Sequence, residues 1–333
     1  MNSKKGKKPV GTAKKPKPEA LMGDLFAAAF KRHKRAAAAT IAAVLVIAVI
    51  AAWLCGRSGI AEGEAVFYFF DVGQGDAAAV VTSEGCILID AGTNDAEDEL
   101  CRQMRRAGIR RIDLAMLTHP HEDHIGGADA VIDRFEVGRV LISGRGTDTA
   151  AYSRLCEAAE RRGTDIGAAE AGYTEEIGGM KLDVLFADED AVSENDMSAV
   201  VKVEFGSVSA IYTGDAGEKT EGLILGRYAR DELECDILKV GHHGSQTSSS
   251  REWLEALSPG FAVISCAAAN DYGHPHAAVL RRLADIGAEI HRTDIEGTVV
   301  FVSDGESVKN ASGSEKWQLC AVLPHAHRER RCA

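Results

Sequence analysis

The 333-residue chain contains no Cys-x-x-Cys pair. Its eight cysteines stand singly at 55, 86, 101, 156, 235, 266, 320 and 332, which excludes a thiolate-built structural zinc site and leaves them as small buried hydrophobes. No Gly-Lys-Ser/Thr follows the glycine-rich turn Asp71-Val72-Gly73-Gln74-Gly75-Asp76, so that turn is not a P-loop. No internal repeat is strong enough to define an array. Basic charge is missing from most of the chain. Residues 1–35 carry eleven Lys and Arg against Glu19 and Asp24, so the overall net charge of −12 becomes −21 once that leader is set aside. A domain this acidic lacks the general basic surface on which nonspecific nucleic-acid binding draws. Long apolar runs are also scarce, and the single one present cannot by itself form a multi-span channel.

That run is residues 36–54, nineteen positions of which only Thr40 is polar. As a helix it would extend about 28 Å, enough to cross a hydrocarbon core. The basic flank before it predicts a cytoplasmic N-terminus and an extracytoplasmic remainder, a single-pass protein of the cell membrane. A cleaved signal peptide is the rival reading, opposed by the long leader and by an apolar run longer than the usual signal core. Residues 1–35 are expected to be a disordered basic segment, since they have almost nothing to bury.

Beyond residue 64 the pattern is strand-rich and then alternates. Apolar runs at 66–70, 77–81 and 86–89, separated by glycine-containing turns, predict strands. Helical patterns follow at 96–107, 127–135 and 150–161, interleaved with strands at 113–117 and 139–142. A second block predicts strands at 181–186, 199–205 and 208–212, a helix at 218–227, a strand at 237–240 and a helix at 251–257. A strand at 261–265, a helix at 276–286 and strands near 290 and at 298–302 complete it. Two strand blocks with interspersed helices fit two packed sheets with helices outside, an α/β four-layer domain over residues 64–305. Residues 306–333 remain an unassigned tail.

The densest chemistry lies in Thr118-His119-Pro120-His121-Glu122-Asp123-His124-Ile125-Gly126-Gly127. His119 and His121 alternate about a proline, so after a strand their side chains point the same way and can share an ion. Asp123 and His124 follow a turn and suit a second ion beside the first, roughly 3.5–4 Å away as in two-metal hydrolases. Gly126-Gly127 are read as letting the backbone pass close to the ions. Further polar residues wait at predicted strand ends: Asp90, Asp215, His242 with His243, and His274 with His276. Seven of the eleven histidines fall in these three clusters. A lone strand-end histidine is usually a satisfied structural residue; three clusters with strand-terminal acids reverse that expectation.

Six motifs in order, from Asp71-Val72-Gly73-Gln74-Gly75-Asp76 and Ile89-Asp90-Ala91-Gly92 through the histidine run to Thr213-Gly214-Asp215, Gly241-His242-His243-Gly244-Ser245 and Tyr272-Gly273-His274-Pro275-His276, resemble the metallo-β-lactamase superfamily. Within it, the likeness is to the C-terminal domain of ComEC competence proteins. The resemblance implies an αββα sandwich with a binuclear site of two divalent ions, zinc or manganese. It implies His119 and His121 as ligands of one ion, Asp123 and His124 of the other, Asp215 bridging, and Asp90 as an acid that orients a ligand or water, so that Asp123, Asp90 and Asp215 carry the catalysis. Many members supply another histidine before the bridging acid, but residues 125–214 contain none. His242 or His243 is expected to fill that gap, with His274 at the last ligand position; Asn195 and Ser198 contact substrate or brace the site.

The run Gly244-Ser245-Gln246-Thr247-Ser248-Ser249-Ser250 enters a predicted helix with Ser249 as N-cap. Ser245, Thr247 and Ser248 are expected to meet a substrate phosphate near that helix start. The function so implied is an anchored phosphodiesterase or nuclease acting on DNA by metal-activated water. A DNA-uptake channel would be a separate membrane partner. The alternatives are a hydrolase of small esters or of cell-wall and lipid phosphodiesters, and a noncatalytic accessory of DNA uptake.

Overall fold

The computed structural model describes residues 59–144, 146–189, 191 and 193–313. The expected anchor and basic leader lie outside the described residues, as does the tail beyond 313. Among the described residues no helix is long and apolar enough to cross a membrane.

Two sheets form the centre. One has eight strands, in spatial order Val308–Asn310, Val299–Ser303, Ala65–Phe69, Ala77–Thr82, Cys86–Ala91, Leu114–Leu117, Arg139–Ile142 and Asp165–Ala168. The other has seven, in order Glu289–Arg292, Phe261–Ile264, Ile237–Lys239, Val208–Tyr212, Val200–Phe205, Met180–Phe186 and Thr174–Ile177. Period-two side-chain alternation builds the layers. Phe67 and Phe69 face the second sheet, packing with Met116, Leu182, Val201 and Val263. Val66 and Tyr68, their neighbours in the chain, face the other way, toward Leu100, Met104, Val131 and Leu155 of the helices Glu97–Arg106, Ala128–Arg134 and Ala150–Arg162. The outer face of the second sheet meets Trp253, Leu254, Val279 and Leu283 from the helices Arg251–Leu257 and Ala277–Asp285. Strands buried on both faces are apolar at most positions, which is why these runs look nearly continuous in sequence.

The expected four-layer α/β order is therefore present. The sheet continues past residue 305, however: Val308–Asn310 pairs antiparallel with Val299–Ser303, so part of the segment set aside as tail belongs to the domain. Sequence patterning also passes over the edge strands Asp165–Ala168 and Thr174–Ile177.

Strand direction collects the site. Cys86–Ala91, Leu114–Leu117 and Arg139–Ile142 run parallel, as do Val208–Tyr212, Ile237–Lys239 and Phe261–Ile264. Their C-terminal ends open on one edge of the sandwich, the general location of sites in parallel sheets. The two sheets are tied there by the Ala199 N–H donating to the Thr118 carbonyl at 2.8 Å.

Candidate metal centre

Asp90 occupies the end of the strand Cys86–Ala91 in a left-handed conformation, φ 57°. That backbone costs an ordinary residue about 1–3 kcal/mol. It turns the buried carboxylate back under the neighbouring strand, where Oδ1 accepts the Thr118 N–H at 2.7 Å and Oδ2 lies 2.8 Å from His124 Nδ1. Asp90 thereby fixes the loop that begins the histidine run and leaves His124 Nε2 facing inward. His242 and His243 are also left-handed, φ 49° and 53°, in the tight turn after Ile237–Lys239.

Three groups of candidate ligand atoms result, and two of them share Asp215. One of these is His119, His121 and Asp215; the other is Asp123, His124, His243 and Asp215; the third, Asp76, Asp90 and His124, gathers on the Nδ1 side of His124. Asp215 Oδ1 lies 3.2 Å from His124 Nε2 and 3.6 Å from His243 Nε2. Its Oδ2 is 3.6 Å from His242 Nε2 and 3.9 Å from His119 Nε2. His124 Nε2 and Asp215 Oδ1 are buried and, despite their proximity, lack hydrogen-bond geometry with any partner. Orphaned lone pairs of this kind are what a cation satisfies, and imidazoles mixed with carboxylates suit divalent transition metals. The donor set thus fits a pair of divalent ions.

Electrostatics supports the same picture. Burial alone would raise Asp123, but its hydrogen bond with His243 and the charges of His124 and His243 hold it down at about 2. Burial alone would depress His243, whereas Asp76 and Asp215 carry it up to about 10. Acids that hold a proton on His243 would equally hold a cation in its place. His274 goes the other way, down to about 4, through partial burial and the neighbouring His243, His242 and His276.

His274 stands outside all three groups, on the wall of an open pocket of about 530 Å³. Its ring stacks on the exposed Tyr272, centroids 5.5 Å apart. Gln74, Thr93, Glu122 and Asn195 complete that wall. Asn195 is thus placed where a substrate contact was expected, and its Oδ1 is buried without a partner.

Of the two roles expected for Ser198 it takes the bracing one: it is fully buried and its hydroxyl accepts the Asp215 N–H at 3.0 Å. The phosphate contact expected of Ser248 is corrected, since it is buried as well and donates to the Gly241 carbonyl at 2.8 Å, closing the histidine turn. Ser245 turns to Thr247, hydroxyl to hydroxyl at 3.0 Å, and Thr247 Oγ1 lies 3.4 Å from His242 Nδ1; none of the three lines the pocket. The cap of the helix Arg251–Leu257 is Ser250, not Ser249, and Glu221 takes the N–H groups of both serines. Gly126 and Gly127 face the strand-end backbone, not the ions: an added Cβ would strike Asn94 N at the first and Ala91 O, at 2.5 Å, at the second.

Sequence reasoning missed Glu194, whose carboxylate lies 2.7 Å from His121 Nε2 within the histidine-free stretch. It also gives no role to Asp76 or Lys239. Asp76 is buried with Lys239 Nζ at 2.7 Å and His243 Nδ1 at 3.2 Å. A lone lysine in the apolar run Ile237-Leu238-Lys239-Val240 was the available signal.

Residues 70–268 match the model of the metallo-beta-lactamase superfamily, and the chain belongs to that superfamily. Its similarity to particular proteins is narrower. It is 31% identical over 250 residues to ComE operon protein 3 of Bacillus subtilis (strain 168), covering 69% of this chain and 32% of that protein. It is 33% identical over 245 residues to Competence protein ComA of Neisseria gonorrhoeae, covering 73% and 33%. The chain thus spans about a third of the length of these curated relatives. Among solved structures, the metallo-beta-lactamase fold protein YhfI from Bacillus subtilis aligns over 72% of this chain and 100% of its own, with a TM-score of 0.51 and 11% identity, a likeness of fold alone.

Proposed function

We propose that the chain is a metal-dependent hydrolase of phosphodiesters with DNA as its substrate. The observation that carries this is the pair of ligand groups sharing Asp215 at the floor of an open pocket. Divalent cations bound there supply activated water at neutral pH and screen phosphoryl charge. The chain's own residues hold the geometry: Asp215 through Ser198, His124 through Asp90, and His243 through Asp123 and the Ser265 carbonyl, 3.0 Å from its Nδ1. Thr93, Gln74 and Asn195 present hydroxyl and carboxamide groups to a diester's oxygens.

DNA is favoured by the likeness to competence proteins. One observation favours a second reading, a smaller phosphodiester: among the described residues no Arg or Lys lines the pocket, whereas a polyanion normally meets a basic track. Single-stranded DNA, duplex DNA, RNA and bis-p-nitrophenyl phosphate, offered to the full chain with Mn²⁺ or Zn²⁺, separate the two. The expected result is cleavage of DNA and of the small diester, with Asp123→Ala slower by about 100-fold or more. Turnover of the small diester without any nucleic acid would transfer the assignment to the second reading.

The apolar run 36–54 and its basic flank support an anchored, outward-facing domain, working beside a separate membrane channel. Alkaline carbonate should leave the chain in the membrane pellet, and protease added to spheroplasts should digest the domain; a chain released into the supernatant rules the anchor out.

A further inference from the structure

The glycine-rich turn ending in Asp76 has no task in the two groups that share Asp215, and Lys239 is a cation buried where few lysines are found. Lys239 is 3% exposed and Asp76 4%. They belong to different sheets: Asp76 directly precedes the strand Ala77–Thr82 of the first, and Lys239 ends the strand Ile237–Lys239 of the second. Their contact at 2.7 Å is therefore a bolt across the sandwich at the edge where the ligands gather. Lys239 Nζ also donates to the Val240 carbonyl at 2.9 Å, which aims the ammonium.

Asp76 passes this constraint on. Its second oxygen lies 3.2 Å from His243 Nδ1, an ion-pair distance without hydrogen-bond geometry; the same nitrogen lies 3.0 Å from the Ser265 carbonyl, while Nε2 on the opposite side of the ring faces Asp123 and Asp215 at 3.2 and 3.6 Å. The Asp76 N–H donates to the Asp123 carbonyl at 3.0 Å, so one residue touches two members of the same ligand group. A histidine ligand is oriented by what its other ring nitrogen meets, and such partners are worth about 10–100-fold in metal affinity. Here that nitrogen meets both the Ser265 carbonyl and Asp76, and Asp76 is itself held by an ammonium at the end of the strand that leads into the histidine turn.

We propose that Lys239, acting through Asp76, is a positioning residue that sets His243 for the cation held with Asp123, His124 and Asp215. This rests on the reading of that group as a cation site. A purely structural ion pair is the competing account, and double substitution distinguishes the two. Breaking a buried pair by removing one partner is strongly destabilising, whereas replacing both by apolar groups of like shape is close to neutral.

The test uses the full chain and two measurements: melting of the metal-free protein, and calorimetric titration with Zn²⁺. Lys239→Met alone should melt well below the parent. Asp76→Leu/Lys239→Met should recover most of that loss yet bind one of its two zinc equivalents about 10–100-fold more weakly, leaving the other unchanged. Parental affinity at both sites in the double variant overturns the proposal and leaves the pair structural. If the double variant does not fold, Asp76→Asn is titrated in its place, and undiminished affinity there overturns it equally. A parent chain that takes up no zinc refutes the cation centre itself, a failure distinct from either.

Discussion

Replacing Asp215 by alanine is expected to abolish hydrolysis, by about 10³-fold or more, and to lower bound divalent metal from about two equivalents per chain to one or none. Asp215 is the one side chain common to the His119–His121 group and the Asp123–His124–His243 group. Its two oxygens divide between them, Oδ1 toward His124 and His243 and Oδ2 toward His242 and His119. No neighbour can substitute, because Asp90 and Asp76 are already committed to Thr118 and Lys239. The backbone should survive the change, since Ser198 grips the Asp215 N–H and the Ala216 N–H bonds the Thr213 carbonyl. Elemental analysis of the purified variant beside turnover of bis-p-nitrophenyl phosphate checks both halves. Retention of two metals with parental turnover is incompatible with a shared acid.

The visibility of Asp215 in the sequence has a simple physical origin. Strands covered on both faces are predominantly apolar, so the polar residue that ends such a run marks the sheet edge. Asp90, Thr118-His119, Thr213-Gly214-Asp215 and His242-His243 all announce themselves in this way. Parallel pairing then brings those ends together, a consequence of topology that the runs alone do not contain. Edge strands give the opposite case. Asp165-Ile166-Gly167-Ala168 and Thr174-Glu175-Glu176-Ile177 have little to bury, and backbone pairing with Arg139–Ile142 and Met180–Phe186 holds them in the sheet. The serines of residues 245–250 are hard to tell apart because hydroxyls near a helix start look alike in sequence. Only the left-handed turn at His242 and His243 decides that Ser248 points inward. Asp76 needed knowledge of the opposite sheet, because its partner comes from a strand that no local pattern connects to it.

Gly126→Ala is expected to destabilise the domain by about 3 kcal/mol, a fall in melting temperature of roughly 6–12 °C for a domain of this size, and to weaken metal binding at the same time. Three segments converge on this residue. The turn Glu122–Ile125 carries Asp123 and His124; the Asp123 carbonyl accepts the Asp76 N–H, and the Glu122 carboxylate accepts the Asn94 N–H at 2.8 Å. Gly126 lies where that turn crosses residues 93–94, and a Cβ there would strike Asn94 N and come within 2.8 Å of Thr93 C. These are backbone atoms, so relief must come from moving the whole turn, and with it two members of one ligand group. Gly222→Ala is the matched control. It lies within the helix Glu218–Leu225 with nothing near its added methyl, and should stabilise by up to about 1 kcal/mol through helix propensity and a less flexible unfolded chain. A Gly126→Ala protein that melts with the parent and binds metal equally well would mean that the close approach of the ligand turn to the Thr93–Asn94 backbone is not what sets the position of Asp123 and His124.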